Sequence, residues 1–403
     1  MVPSGWKLST IEEIASVSSG GTPSRKVPEY WNGNIPWVTT AEVHFETITD
    51  TAEKITVNGL ENSSAKLFPI DTILMAMYGQ GKTRGQVAKL GIEATTNQAC
   101  AAIVLEKNHD VEYYFQFLMS RYESIREMAN SGGQQNLSAG IVKSIQVPVP
   151  PLPEQKKIAQ ILSTWDQAIN TTEQLLANSQ QQKKALMQQL LTGKKRLHDQ
   201  TGQPFTGEWH KVRFESVAEM NSGGTPKSSV DEYYGGGIPW VSIADMTTHG
   251  KWISTTEKTL SKEGLENSSA KLYPKNTVLF AMYASIGECS IAEVELCSSQ
   301  AILGIRPKQN VLDFQYLYFF MTSLKDRVKL MGQQGTQANL NAGMVKDFHI
   351  PLPSIKEQQK IAAVLTTADN EIDTLKQKLD HLKQEKKALM QQLLTGKRRV
   401  KVN

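Results

Sequence analysis

The residues best suited to bind another molecule lie in a glycine-rich polar segment, residues 78–86, in the first half of the chain. In the major groove of DNA, Arg and Lys hydrogen-bond guanine edges and Gln hydrogen-bonds adenine edges. Four residues of the segment have such side chains: Gln80, Lys82, Arg84 and Gln86. The equivalent segment of the second half, residues 283–290, begins with the same tyrosine but then differs. This difference favours two domains that read different short sequences; flexible surface loops are the alternative.

A second polar stretch, residues 131–136, corresponds to residues 332–339 in the second half. Its Gln and Asn side chains are also able to read base edges. Polar residues that follow the glycine pairs at 20–21 and 223–224, together with Gln98 and Gln300, complete the set that we expect to contact DNA. The set is Thr22, Ser24, Arg25, Gln80, Lys82, Thr83, Arg84, Gln86, Gln98, Gln134, Gln135, Asn136, Thr225, Lys227, Ser285, Gln300, Gln333, Gln334, Gln337 and Asn339.

Motifs that would give the chain a catalytic activity are missing. Gly81-Lys82-Thr83 looks like the end of a phosphate-binding loop, but Ala76 stands where that loop requires glycine. No Asn-Pro-Pro-Tyr or Asp-Pro-Pro-Tyr methyltransferase motif occurs, and no acidic or His residues are spaced like metal ligands. We therefore predict no catalytic residue, no metal site and no cofactor on this chain.

The composition predicts a multidomain cytoplasmic protein. The chain has 403 residues, far more than one domain needs. Its three cysteines are too few for a disulfide framework, which suits a reducing compartment. No apolar stretch approaches the roughly 20 residues that cross a bilayer, and no secretion signal is visible. The net charge of +4 permits nucleic-acid binding without requiring it.

The sequence repeats itself once, with a period of about 203 residues, which predicts two similar halves. Residues 19–23 (SGGTP) return at 222–226, 35–38 (IPWV) at 238–241, 59–67 (GLENSSAKL) at 264–272, and 183–193 (KKALMQQLLTG) at 386–396. Because the SGGTP segment is the same in both halves, we expect a scaffold turn or a phosphate contact there rather than base reading. We expect Trp37 and Trp240 to lie in the cores.

Proline-rich hinges at residues 147–153 and 350–353 separate each globular part from a long helix. Proline fixes φ and disfavours helix just before it, so these hinges should be extended and stiff. We predict four domains along the chain. They are a globular domain at 1–150, a helix at 151–196, a second globular domain at 197–350 and a second helix at 351–403.

Apolar residues in both helical segments alternate at spacings of four and three, which is the seam of a coiled coil. Each helix, about 38 residues, would be roughly 57 Å long. The seam comprises Ile158, Leu162, Trp165, Ile169, Leu176, Leu186 and Leu190, then Ile361, Leu365, Ile372, Leu375, Leu379, Leu382, Leu389 and Leu393. The partner could be another molecule, but effective concentration favours antiparallel pairing within the chain. Basic clusters at 194–196 and 397–399 could bind phosphates, cap the helices or contact a partner.

Several motifs together resemble one known family. Each half begins with Gly-Gly-Thr-Pro and Ile-Pro-Trp-Val. Each continues through Pro-Leu-Pro, Glu-Gln-x-Lys-Ile-Ala and a closing Leu-Leu-Thr-Gly, at 151–159 with 190–193 and at 351–362 with 393–396. The first copy lacks a three-residue spacer found in the second. This combination, over essentially the whole chain, resembles the specificity subunit (HsdS) of type I restriction-modification systems.

The resemblance implies an α+β architecture. Two mixed α/β target-recognition domains would form a pseudo-two-fold repeat, separated by two long antiparallel coiled-coil helices. Each domain would read one half of an asymmetric, interrupted sequence in double-stranded DNA, and the helices would set the unread gap.

The resemblance also implies that the helices dock two modification subunits, which methylate adenine N6, and that restriction subunits add ATP-dependent translocation and cleavage. S-adenosylmethionine, ATP and Mg²⁺ would then be bound by those partners. The alternative is an orphan specificity-like scaffold or regulatory binder that supports no methylation. A self-contained methyltransferase or nuclease is disfavoured by the missing motifs.

Overall fold

The computed structural model of the chain describes residues 2–79, 82–128, 136–334 and 340–402. Contacts within it divide the chain into two units, Met1–Glu173 with Gln377–Asn403, and Gln174–Lys376. Both long helices therefore contribute one part to each unit.

Among its described residues, the first unit has ten strands and five short α-helices before the first long helix begins. The strands are β1 (Lys7–Thr10), β2 (Ala15–Ser19), β3 (Trp31–Val38), β4 (Thr47–Ile48), β5 (Glu53–Ile55), β6 (Ile73–Ala76), β7 (Val87–Leu90), β8 (Thr95–Thr96), β9 (Cys100–Leu105) and β10 (Gln146–Val149). The helices are α1 (Ile11–Ile14), α2 (Val57–Glu61), α3 (Val111–Ser120), α4 (Tyr122–Met128), α5 (Ala139–Ser144) and the long α6 (Leu152–Leu190).

The second unit repeats this order. Its strands are β11 (His210–Arg213), β12 (Ala218–Ser222), β13 (Tyr234–Val241), β14 (Trp252–Ile253), β15 (Lys258–Leu260), β16 (Val278–Ala281), β17 (Cys289–Ala292), β18 (Cys297–Ser298), β19 (Ile302–Pro307) and β20 (His349–Leu352). Its helices are α7 (Phe214–Val217), α8 (Ile243–His249), α9 (Lys262–Glu266), α10 (Phe314–Ser323), α11 (Lys325–Gln334), α12 (Ala342–Lys346) and the long α13 (Ile355–Leu393).

The two units have the same sheet topology. A five-stranded sheet has the order β2-β9-β6-β7-β4 in one and β12-β19-β16-β17-β14 in the other. A three-stranded sheet (β5-β3-β8, β15-β13-β18) and a strand pair (β1-β10, β11-β20) complete each globular part. This confirms the repeat of two mixed α/β parts.

The five-stranded sheet is buried on both faces because its central strand is apolar at every position. In β6, Ile73 and Met75 point into a core cluster that also contains α3 and the start of α6, and Leu74 and Ala76 point into a second cluster. This alternation follows from the two-residue period of a strand. Trp37 and Trp240 are buried, as predicted, and their indole N–H groups donate to the Gly21 and Gly224 carbonyls.

The first proline-rich hinge is extended only in part, whereas α13 begins at Ile355, after the second hinge. Strand β10 covers the start of the first hinge, and β20 covers the start of the second. They pair with β1 and β11, the first strands of the same globular parts. The prediction of an extended chain through residue 153 was wrong, because α6 already begins at Leu152. Proline is tolerated in the first turn of a helix, where its missing N–H has no partner to lose.

The long helices pair in antiparallel orientation within each unit. In the first unit, Ile158 and Leu162 near the start of α6 share a core cluster with Leu393 at the end of α13. In the second, Leu190 at the end of α6 shares one with Ile361 near the start of α13. All fifteen predicted seam residues are buried or half-buried. Gly193 and Gly396, at φ +70° and +71°, follow the helix ends.

A buried glutamate ties the start of each long helix to its globular part. Glu154 accepts a hydrogen bond from Trp6 Nε1 (2.9 Å) and a two-pronged ion pair from Arg399 (2.7 and 2.8 Å). The next residue, Gln155, donates to the Pro150 carbonyl and accepts from the N–H of Asp110, the residue that caps α3.

The second unit builds the same anchor from equivalent residues. Glu357 accepts from Trp209 Nε1 (3.1 Å) and from Arg196 (2.6 and 2.8 Å). Gln358 donates to Pro353 and accepts from Asp313, as Gln155 does in the first unit. The repeated Glu-Gln motif thus joins the helix start to the globular part. Of the options for the basic clusters, Arg196 and Arg399 are ion-paired within the chain.

Replacing Glu154 by Gln should destabilise the first unit by about 2 kcal/mol, because the buried Glu154 side chain loses its charge-assisted hydrogen bonds with Arg399. The midpoint of thermal unfolding measures this effect. Glu12→Gln is the matched control, since Glu12 pairs with Lys143 at the surface (2.9 Å) and is 63% exposed. Equal shifts for the two variants would contradict the anchor.

The same variant predicts a pH dependence. Burial alone would raise the pKa of Glu154, but the hydrogen bonds from Arg399 and Trp6 hold it below its ordinary value. A carboxylate with a lowered pKa contributes stability that is fully present above its unfolded-state pKa, about 4.3 for glutamate, and is lost as the pH falls through the folded-state value. The gap in melting temperature between wild type and Glu154→Gln should therefore shrink below pH ~4; a constant gap would refute the charged anchor.

Candidate nucleic-acid interface

The two glycines of the SGGTP segment allow close backbone packing. A Cβ at Gly20 would lie 1.9 Å from the Thr96 carbonyl oxygen, and one at Gly21 would lie 2.3 Å from the carbonyl carbon of Ser64. The second unit has the same close approaches at Gly223 and Gly224 (2.2 and 2.3 Å). The glycines are therefore part of the scaffold.

The threonine after these glycines faces outward and is paired in the same way in both units. Thr22 Oγ1 donates to Gln98 Oε1, and Thr225 Oγ1 donates to Gln300 Oε1. Both glutamines are exposed, and their amide N–H groups donate to no residue in the described part of the chain. Four predicted contact residues thus form two equivalent pairs.

Backbone hydrogen bonds bring residues that flank the two polar segments next to these pairs. In the first unit, the Met77 N–H donates to the carbonyl of Ala99, the neighbour of Gln98, and the Met77 carbonyl accepts from Leu137 (2.8 and 3.0 Å). Residue 77 leads into the 78–86 loop, and Leu137 follows the second polar stretch. Hence two segments far apart in sequence begin and end beside Gln98.

The second unit reproduces this junction. The Met282 N–H donates to Ala301, and its carbonyl accepts from Leu340 (2.9 and 3.1 Å). Each unit therefore has a Thr–Gln pair close to the residues that flank two polar segments, and the sequences of these segments differ between the units.

The loops share a backbone turn but present different chemistry. Gly85 and Gly287 have φ of +85° and +86°, and their N–H groups return to the Ala76 and Ala281 carbonyls (2.8 and 3.0 Å). A glycine meets this positive φ at no steric cost. Lys82 is exposed, and Thr83, Arg84, Gln86 and Ser285 are half-buried.

Different residues support the two loops from below. The Tyr122 hydroxyl donates to the Lys82 carbonyl, and Gly85 packs on Arg126. In the second unit Lys325 forms an ion pair with Glu288 and packs on Gly287. Each loop is therefore attached to the helix beneath it.

The segment after Thr22 is engaged in other contacts. Arg25 makes a two-pronged ion pair with Glu53 and lies 3.7 Å from the Trp31 ring centroid, so a phosphate would have to compete with Glu53. Ser24 is exposed, as is Lys227 in the second unit.

The remaining predicted contact residues divide into three groups. Asn136 is exposed. Five others lie outside the described residues: Gln80, Gln134, Gln135, Gln337 and Asn339. For Gln333 and Gln334 the structure describes the backbone but not the side chains. The predicted DNA contacts as a set remain predictions.

Sequence reasoning missed Lys66 and Lys271. Each follows the serine and alanine whose backbone packs on Gly21 or Gly224. Both lysines are exposed, and neither forms an ion pair or hydrogen bond with a residue that the structure describes. Packing therefore does not explain why they are the same in both halves.

The signal that points to these lysines is the unchanged repetition of residues 59–67 at 264–272. Nearby exposed positions vary between the halves: Val57 corresponds to Lys262, and Ile70 to Lys275. Lys66 is one of several exposed residues of the repeated segment, with Glu61, Asn62 and Leu67, and its positive charge suits it to a phosphate contact that both units share.

Other kinds of site do not emerge from the described part of the chain. No three His, Cys, Asp or Glu residues within it are grouped to hold a metal ion. No helix among the described residues is long and apolar enough to cross a membrane.

Comparison with known proteins gives a consistent result. Residues 3–178 and 206–384 match the family model for the type I restriction modification DNA specificity domain. The specificity subunit of the type I restriction enzyme MjaVIII from Methanocaldococcus jannaschii is 27% identical over 99% of this chain and 94% of its own length. The MjaIX specificity subunit of the same organism is 32% identical over 171 residues, 42% of this chain and 40% of that relative.

A solved structure has the same fold. The crystal structure of a type I restriction-modification system S subunit from M. genitalium aligns over 98% of this chain and 96% of its own, with a TM-score of 0.61 at 15% identity. Because the family model covers both halves, this protein belongs to the family of DNA specificity subunits of type I restriction-modification systems.

Proposed function

We propose that each globular part reads one half of an interrupted, asymmetric DNA sequence and that α6 and α13 set the unread gap. The observation that supports this proposal is that the two units share one backbone scaffold but differ in the side chains of the loops next to it. The Thr–Gln pair and its backbone junction are the same in both units, and the bordering loops differ. Two globular parts with the same fold and different loop side chains suit a DNA site whose two halves differ in sequence.

The loops supply the base-reading chemistry in this proposal. Lys82 and Arg84 are suited to guanine and Gln86 to adenine, because these side chains match the donor and acceptor patterns of those bases. In the second unit Ser285 takes their place and makes shorter, less selective contacts. The two half-sites therefore differ in base composition.

The constant elements supply sequence-independent contacts. Most protein–DNA hydrogen bonds go to phosphate and sugar, and they position the protein without reading sequence. Gln98 and Gln300 offer amide donors, and Lys66 and Lys271 offer charges at the same border of each unit. Both half-sites have the same backbone, which accounts for identical residues in both units.

Specificity subunits of type I systems are non-catalytic and act in a complex with other restriction-modification subunits and DNA. For this chain we propose docking of two modification subunits, which methylate adenine N6 with S-adenosylmethionine. We further propose that restriction subunits, with ATP and Mg²⁺, associate with that complex. Exposed faces of the long helices are available for docking, since most residues of α6 and α13 outside the seam and the anchor are exposed.

Single-molecule sequencing of methylated adenines tests the proposed function. Cells that carry this gene with its modification partner should methylate one interrupted motif in both halves, and deleting this gene should abolish that motif. Methylation that persists without the gene, or that never appears with it, would refute the proposal and favour an orphan scaffold.

Replacing Arg84 by Gln should relax one base position in the half-site read by the first unit and leave the other half-site unchanged. A good bidentate contact contributes about 1–3 kcal/mol of discrimination, about 5- to 150-fold in relative binding. Binding to a panel of duplexes with single base changes measures this effect. Relaxation in both half-sites, or in neither, would contradict the role of the loop; Glu61→Gln, on exposed α2, is the control.

Replacing Lys66 or Lys271 by Ala should weaken binding to every DNA sequence alike. The slope of log affinity against log salt concentration is negative, and each lost phosphate contact should reduce its magnitude by about 0.9. Titrations of the assembled complex at several salt concentrations measure the slope, and the methylated motif should remain the same. If either variant changed the motif or prevented complex assembly, these lysines would contact bases or a partner subunit instead.

A further inference from the structure

An aspartate in the second unit joins three separate elements. Asp369 on α13 forms ion pairs with Lys183 on α6 and with Lys251 (3.2 Å), which lies between α8 and β14 in the globular part. Their side chains are 16%, 21% and 14% exposed, so these charges are largely removed from water. The aspartate therefore links both long helices to the globular part.

Aromatic rings hold the lysine of the globular part in place. Lys251 Nζ lies 4.5, 5.2 and 5.7 Å from the ring centroids of Phe319, Tyr318 and Trp252. A cation at these distances is attracted by the ring faces. Burial lowers the pKa of Lys251, and the neighbouring Asp369 opposes that shift.

The first unit has the corresponding arrangement with a different third member. Asp166 on α6 pairs with Lys386 on α13 (2.5 Å), and these positions are the repeat equivalents of Asp369 and Lys183. The globular part contributes Gln116 on α3, whose Nε2 donates to Asp166 Oδ2 (2.7 Å). A neutral amide thus takes the place of the Lys251 ammonium.

The aspartate is the second polar attachment of each globular part to the helices. Glu154 and Asp166 are twelve residues apart on α6, as Glu357 and Asp369 are on α13. Twelve helical residues span about 18 Å. A body fixed at one end can rock about that point, and a second attachment about 18 Å away opposes the rocking.

We propose that Asp166 and Asp369 are positioning residues that fix the orientation of each reading domain on the helix pair. This inference rests on the proposed function, because orientation then determines where each half-site begins relative to the unread gap. Loss of either aspartate lets its domain shift along the DNA and accept gaps one base pair longer or shorter.

The two positions differ in their charge balance. Without its carboxylate, the cluster at Asp369 holds two cations with no direct counter-ion, and the cluster at Asp166 holds one. An uncompensated buried charge is strongly unfavourable. We therefore expect the larger effect from Asp369.

The test is methylation of a library of duplexes by the assembled complex, with the gap length varied around the wild-type value. The ratio of off-gap to on-gap methylation should rise at least tenfold for Asp369→Asn and less for Asp166→Asn, with the half-site bases unchanged. Asp369→Glu should restore part of the wild-type ratio. The controls are Glu371→Gln on α13 and Glu173→Gln on α6, since both carboxylates make exposed contacts between the helices.

A second variant guards against simple unfolding. Lys251→Met removes only the link from the globular part and leaves the Lys183–Asp369 pair between the helices. It should also raise the off-gap ratio while the complex still assembles. If Lys251→Met and both Asp→Asn variants match the control ratio, the positioning role is refuted. If the wild-type complex recognises no interrupted motif at all, the proposed function fails instead.

Discussion

A carboxylate that leaves water requires hydrogen bonds and a counter-charge, and otherwise takes up a proton. Glu154 and Glu357 lie under this constraint at the start of the two long helices, with side chains 4% and 2% exposed. Each glutamate accepts hydrogen bonds from an indole and an arginine that come from distant parts of the sequence. Glu154 needs Trp6 and Arg399, which are 148 residues before it and 245 residues after it. The first strand, the start of one helix and the end of the other must therefore come together, and the rest of each unit is built around that junction.

The same anchor in both units gives each globular part a defined attachment to the helix pair. Above it, the Thr–Gln pair and its backbone junction provide a second repeated element. Because the hydrogen bonds of these elements are formed within the unit and do not involve the loop side chains, the loop side chains can change without loss of the scaffold. This separation suits the proposed function, in which one scaffold presents different side chains to the two half-sites.

The helices could be predicted from sequence because an apolar seam has a local period and all fifteen seam residues lie buried or half-buried. The internal repeat likewise predicted two equivalent globular parts. The partners of the seam interruptions could not be predicted. Lys386 breaks the apolar spacing, and its partner Asp166 lies 220 residues away, so only the folded chain brings them together.

For the candidate interface, too, the sequence carries the local features but not the contacts between distant residues. Residue types identified the polar loops, but the pairing of Thr22 with Gln98 spans 76 residues. Arg25 has the right chemistry for a phosphate and is paired with Glu53. Lys66 was missed because a lone exposed lysine carries no local signal until packing accounts for the serine and alanine before it.

The central claim is that the anchored helices set the distance between the two half-sites. The measurement that tests it most directly is the gap of the methylated motif after seven residues are inserted in both helices, between 173 and 174 and between 376 and 377. Seven helical residues add about 10 Å, close to three base pairs of B-DNA. The account predicts a gap about three base pairs longer with the same bases read at both ends; an active complex with an unchanged gap would contradict it.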